Sequence, residues 1–316
     1  MTVKPIRIDS ALLLAFFAIY FLWGSTYLAI RIAVASVPPL FAAGVRFLIA
    51  GAALYPWARM RGELAPTRAQ WKNLVLLGAL MFLAPYGGLF WAEKTLASGI
   101  AAVLVATIPF WTAMLQIFVF RRGRMHWALL VSIALGVGGV MVLALGRNDG
   151  HMNWPACLAI LGSEISWATA TVLTTFVDLP RSKLVSAGGQ MLFGGAMLLI
   201  CSGLLGELRP LPHVSLRAAA AIAYLIVAGS LLAFTAYVWL LGRVPATIVT
   251  SYAYVNPVVA LLLGHWLGNE ALGTKTIIGS ALVLASVGTL LRRGKEDSST
   301  RVTRFLPAQL EASRRS

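Results

Sequence analysis

Residues Leu158–Phe176 read LAILGSEISWATATVLTTF. The stretch is apolar enough for a bilayer, yet it carries Glu164 near its middle, where a carboxylate costs ~3 kcal/mol and needs a partner or water. At helical spacing Glu164, Trp167 and Thr171 share a face, with Thr175 one turn further on. An earlier stretch repeats this pattern. Trp23 is followed 23 residues later by Arg46-FLIAGAAL, and Trp167 is followed 23 residues later by Gln190-MLFGGAML. At an offset of 144 residues, Glu164, Trp167, Thr171 and Thr175 overlie Tyr20, Trp23, Tyr27 and Arg31. The chain is read as duplicated, with this helix opening the second copy.

The rest of the chain agrees with a membrane protein. Of its 316 residues 59% are hydrophobic and only 12% charged, against about 25% charged in a soluble domain. The net charge of +15 does not point to nucleic acid, because Lys and Arg sit in short loops and tails between long apolar runs. The first apolar run, Ala11–Ile30, exceeds the ~7–15 residues of a signal-peptide core and is read as a retained span. Cys157 and Cys201 fall in predicted membrane helices, where no disulfide is expected. No metal-ligand spacing is present, so no metal and no cofactor are expected.

A span needs ~20 mostly apolar residues. By that measure the chain has ten, roughly 10–30, 39–58, 72–92, 97–120, 126–145, 155–176, 184–205, 217–241, 246–267 and 273–291. Five spans per copy is an odd number, so the second copy must thread the membrane upside down. The expected fold is an all-α membrane protein of ten transmembrane helices in two inverted five-helix repeats, with a site at the midplane between them. Lys4, Arg7, Arg59, Arg61, Arg68, Lys72, Arg121, Arg122 and Arg124 fall on one side, as does the basic tail after Arg292. The rule of positive charge inside then puts both termini in the cytoplasm. The tail, 293–316, is expected to be disordered.

The duplication extends further. Ala106-Thr-Ile-Pro109-Phe-Trp in span four matches Tyr254-Val-Asn-Pro257-Val-Val in span nine. With these pieces in order, the chain resembles the EamA branch of the drug/metabolite transporter (DMT) superfamily, and within it the YedA-like inner-membrane exporters. The residues that carry the resemblance are Trp-Gly-Ser-Thr-Tyr at 23–27, Arg46-Phe47, the paired mid-helix prolines, and Pro257-VVALLLGHWLGN-Glu270 with Gly279 and Gly288. The first copy departs from the second by having Arg122 where the second has Glu270. The resemblance implies two EamA-like repeats, 10–146 and 154–292, after a cytoplasmic segment 1–9. It also implies a bacterial inner (plasma) membrane, export of small organic metabolites such as amino acids or drugs, and a cavity lined by spans one to four and six to nine.

Candidate site residues follow from polar and aromatic groups at membrane depth. Arg46 and Glu164 are expected as a cavity charge pair, with Arg46 engaging a substrate carboxylate and Glu164 exchanging a proton as the coupling candidate. The alternative is a structural ion pair holding the halves together. Trp23, Tyr27, Tyr86, Trp167, Tyr252 and Asn256 are candidates for a stacking, hydrogen-bonding lining. Interhelical packing is the alternative, and it is the favoured reading of Tyr86, Phe90 and Trp239. Pro109 and Pro257, which release backbone carbonyls, are candidate hinges. Gly136, Gly138, Gly139, Gly279 and Gly288 read as close-packing positions. The expected partners are the lipid bilayer, a small-molecule substrate and protons. A membrane enzyme would need a nucleophile–base or metal set, and the sequence has neither HExxH nor GxSxG. The competing classes are therefore that enzyme and a non-transporting receptor.

Overall fold

The structure is a computed structural model that describes residues 10–121, 127–144, 153–209, 214–241, 243, 249, 252–286 and 288–289. The segments 1–9 and 293–316, Arg122, and His126, His151 and His213 lie outside the described residues. The described chain is helical throughout. Helix α1 spans Ser10–Val34, α2 Pro39–Met60, α3 Arg68–Ala92, α4 Ser98–Phe118, α6 Trp154–Leu173 and α7 Lys183–Leu204. Helix α5 is Trp127–Ala144, α8 runs continuously through Leu216–Tyr224, Leu225–Leu232 and Ala233–Leu241, α9 is Tyr252–Gly268 and α10 is Thr274–Ser286. Seven are long and apolar enough to cross a membrane: α1–α4, α6, α7 and α8 over Leu216–Tyr237. As described, α5, α9 and α10 include shorter apolar stretches.

The helix starts follow local chemistry. Thr67 and Gln70 form a reciprocal capping box at α3, and Asn153, Ser182 and Ser215 each accept an amide from the first turn of α6, α7 and α8. Prolines occupy the first turns of α2 and α6, where their missing N–H costs nothing.

Side-chain bonds fix which ends lie together. Ser36, after α1, meets Ser215, before α8, at 3.0 Å. Thr95, after α3, accepts from Asn153, before α6, at 2.9 Å. Glu207, after α7, accepts from the first-turn amides of Leu40 and Phe41 in α2 at 3.3 and 3.0 Å. All these groups lie at the end that also holds Arg31, termed here the Arg31 end. At the opposite end Gln70 and Asn73, opening α3, bond Asp178, after α6. This is the Arg181 end.

The centre of the bundle is the crossing of α2 and α7, the equivalent second helices of the two copies. They meet backbone to backbone. A Cβ on Gly195 would come within 2.4 Å of the Leu48 nitrogen, and one on Gly51 within 2.6 Å of the Leu192 nitrogen, so only glycine admits this approach. Helices α5 and α10 pair at the periphery through Gly139 and Gly279, with Ser132 and Ser286 at 3.0 Å. Among the described residues Gly138 meets nothing within 4 Å. Cys157 and Cys201 are both free thiols.

Three π-helical segments interrupt the spans, at Ala18–Leu22 in α1, Ala79–Leu83 in α3 and Leu225–Leu232 in α8. Their wide turns leave carbonyls free to accept other donors, and each takes one from the opposite copy. Trp23 Nε1 donates to the Gly229 carbonyl at 2.9 Å, and Ser166 Oγ to the Leu80 carbonyl at 2.9 Å. Asn256, with its amide oriented to donate, reaches the carbonyls of Tyr20 and Ile19 at 3.0 and 3.1 Å.

Candidate functional site

A cavity of ≈ 790 Å³ lies between the copies, lined from α1, α2, α3, α4, α6, α7, α8 and α9. No described residue of α5 or α10 lines it. It extends to the exposed Arg181 and Lys183 at one end, and towards the Arg31 end it stops near Tyr27, Tyr86 and Ala102.

Of the sequence-predicted residues, Trp23, Tyr27, Arg46, Tyr86, Trp167, Tyr252 and Asn256 line this cavity together with Pro109 and Pro257. Glu164 does not. It is 4% exposed and lies one helical turn beyond Trp167 towards the Arg31 end, with Oε2 bonded to nothing among the described residues. Nor is it paired with Arg46: among the described residues the ion pair recorded is Arg31–Glu270, Nε to Oε1 at 3.3 Å. The expected cavity charge pair is therefore corrected on two counts. Its arginine lines the cavity without that partner, and its carboxyl group lies one turn along α6 from the lining residue Trp167.

Arg46 is 3% exposed. Its Nε donates to Ser230 Oγ at 3.0 Å, and its Cζ stands 4.7 Å and 5.3 Å from the ring centroids of Phe47 and Tyr86. Ring faces and one hydroxyl compensate the cation only partly, and Nη1 has no partner among the described residues. A planar guanidinium with an unpartnered nitrogen beside the cavity is suited to a carboxylate or another planar anion.

Aromatic side chains form the walls in two groups. Trp23 packs with Tyr252 and Tyr237 at 5.1 and 5.3 Å between centroids. Trp167 packs with Tyr86 at 6.2 Å and Phe82 at 6.5 Å, and Phe47 lies 4.4 Å from Tyr86. The two tryptophans thus belong to separate aromatic groups of the lining, one on the first helix of each copy. Phe90 is fully buried in the core, and Trp239 lies under Arg243 at 3.8 Å, so neither joins the lining.

The matched prolines differ in setting. Helix α4 is broken at Ala106–Thr107, and Pro109 sits in the first turn of its second half. Pro257 sits inside the continuous α9. Sequence reading missed Gln190, Ser230 and Gln116, all polar groups in the lining. Gln190 was visible as the counterpart of Arg46; Ser230 has no comparable signal, because a serine in an apolar run carries little cost.

The model of the EamA-like transporter family matches residues 10–145 and 154–292. The chain is 41% identical over 285 residues to "Uncharacterized inner membrane transporter YedA" of Escherichia coli (strain K12), covering 88% of this chain and 91% of that one. It is 28% identical over 283 residues to "Protein PecM" of Dickeya dadantii (87% and 92% covered). It is 25% identical over 278 residues to a "Probable amino-acid metabolite efflux pump" of Escherichia coli (84% and 89%). A solved crystal structure, 22% identical, superposes with a TM-score of 0.62 over 90% of this chain and 99% of that one, a likeness of fold.

Proposed function

The chain belongs to the EamA-like transporter family, and on that premise we propose that it is a secondary exporter of small organic metabolites. It would work by alternating access from a multi-pass position in the bacterial inner membrane. Ten spans in two inverted five-helix copies is the topology this reading assumes. Its support is that α6 begins beside the end of α3, at Asn153 and Thr95, whereas α1 finishes at that same end. The basic residues of the Arg181 end make that end cytoplasmic, so the cavity faces inward.

One observation carries the reading: a cavity of ≈ 790 Å³, shared by both copies and reaching one end, holds in its wall an arginine whose Nη1 has no partner among the described residues. Arg46 engages an anionic group, and Trp23, Trp167, Tyr86 and Tyr252 stack on the apolar or aromatic body. Amino acids and related compounds fit this pair of features, and one relative is named a probable amino-acid metabolite efflux pump. Pro109 and Pro257 serve as hinges on the two sides of the cavity. Glu164, uncompensated and adjacent to the cavity floor, is the group through which protons couple to the cycle.

The test is flux. Inverted membrane vesicles containing the protein and a pH-sensitive dye are challenged with a panel of amino acids and amphipathic compounds. Substrate-dependent dye quenching supports a proton-coupled exporter, and tracer uptake without quenching supports an exporter driven by the substrate gradient. No uptake of any compound by correctly inserted protein overturns the transport reading.

A further inference from the structure

The Arg31 end is closed by a charge cluster that the cavity does not reach. Arg31 of α1 contacts Glu270, which follows α9, at 3.3 Å, and its Nη1 donates to the Leu96 carbonyl. Glu270 also accepts the amides of Ser98 and Gly99 at 2.8 and 3.2 Å, the first turn of α4. It is therefore held by an arginine and by a helix N-terminus. Glu93, at the end of α3, shares the cluster under opposite conditions. It is 1% exposed, and neither carboxyl oxygen has a hydrogen-bond partner among the described residues.

One guanidinium thus serves two carboxyl groups, and Glu270 has already engaged it. We propose that Glu93 is a proton-binding site whose occupancy decides whether Arg31 and Glu270 hold this end shut. With a proton on Glu93 the cluster carries one negative and one positive charge, and the closed packing is satisfied. Without it a second carboxylate is buried beside Glu270, and the closed packing is disfavoured. The proton comes from water on this face while the end is open, adds to one Glu93 oxygen, and leaves the same way.

The charged and titratable groups around Glu93 are Arg31 and Tyr27 on α1, Arg46 on α2, Glu270 and His265 at the end of α9, and exposed Lys94 next in the chain. Burial first, then the Glu270 carboxylate, push the Glu93 carboxyl well above the usual carboxylate range, against the pull of the Arg31 guanidinium, the Arg31 backbone amide and Arg46. Raised in the closed form and ordinary in the open one, this group makes closure favourable at low pH. The preference is lost as pH rises through the raised value. Between the ordinary ~4.3 of a glutamate and that raised value, the closed-to-open ratio falls about tenfold per pH unit.

The test reads distance, with no substrate present. Ala35→Cys and Ala271→Cys, both on exposed positions of this end, carry spin labels in a Cys157→Ala, Cys201→Ser background, and double electron–electron resonance is recorded in nanodiscs across pH 5–9. The parent protein is expected to shift from short to long distances as pH rises. Glu93→Gln, which mimics the protonated group, is expected to stay short throughout. Glu270→Gln, which removes the partner of Arg31, is expected to be long throughout. A parent distribution that does not move with pH overturns the proposal, as does a Glu93→Gln protein that moves as its parent does or a Glu270→Gln protein that stays shut. Should Glu93→Gln not insert, the parent series alone decides. The proposal rests on the carrier reading for its role in transport, but the distances are independent of flux, so either can fail while the other stands.

Discussion

Trp23 donates its indole N–H to the carbonyl of Gly229, 206 residues away, at 2.9 Å. The bond ties the first helix of one copy to a wide turn in the third helix of the other, and the same tryptophan stacks in the cavity wall. Trp23→Phe keeps most of the ring and removes the donor. It is expected to cost about 1 kcal/mol, seen as a lower melting temperature in fluorescence-detected size-exclusion chromatography. An unchanged melting temperature would show that water replaces the donor there.

Arg46→Gln removes the cation while keeping a side chain of comparable reach. Charge-assisted bonds contribute about 1.5–3 kcal/mol, so affinity for an anionic substrate is expected to fall by about 10- to 100-fold. Substrate-induced thermal stabilisation of the purified protein measures this. Ser230→Ala, which frees Nε without removing the charge, is expected to have a smaller effect. Equal binding by Arg46→Gln would remove the anchor role.

For Glu164 the expectation concerns coupling. Glu164→Gln is expected to abolish transport driven by a pH difference across reconstituted vesicles while leaving substrate binding largely intact. Retention of the full pH dependence would transfer coupling elsewhere, with Glu93 the next group to test.

Gly195→Ala places a methyl group 2.4 Å from the Leu48 nitrogen and forces α2 and α7 apart. A cost of about 1–3 kcal/mol is expected, with reduced yield of folded protein. Gly203→Ala in the same helix meets nothing within 4 Å and is the matched control, expected to be neutral.

The features legible in the sequence were those with a cost attached. Arg46 stood out because a cation at membrane depth must be explained, and Trp23 and Trp167 because the duplication repeats them. The helical architecture and the family followed from apolar runs and ordered motifs. Glu164 misled for the same reason that it drew notice: the cost of burial marks a residue as special without saying which side of a cavity floor it occupies. Glu93 escaped because it adjoins Lys94 at a span end, where a charge pair reads as an ordinary interfacial loop. Only the assembled ends of α1, α3 and α9 reveal that one of those two charges points inward. The π-helical segments left no signature, since no residue type in Ala18–Leu22 or Leu225–Leu232 encodes a wide turn.

The glycine-lined crossing of α2 and α7 has a mechanical consequence. Two backbones in contact over several turns leave no slack for sliding, so the pair behaves as the rivet of a pair of shears. On the carrier reading proposed above, helices carried on either blade would swing about it, and narrowing at one rim would be the same movement as widening at the other. A variant that tightens the Arg31 rim would therefore be detected most readily at the far one, as a broader entrance beside Arg181.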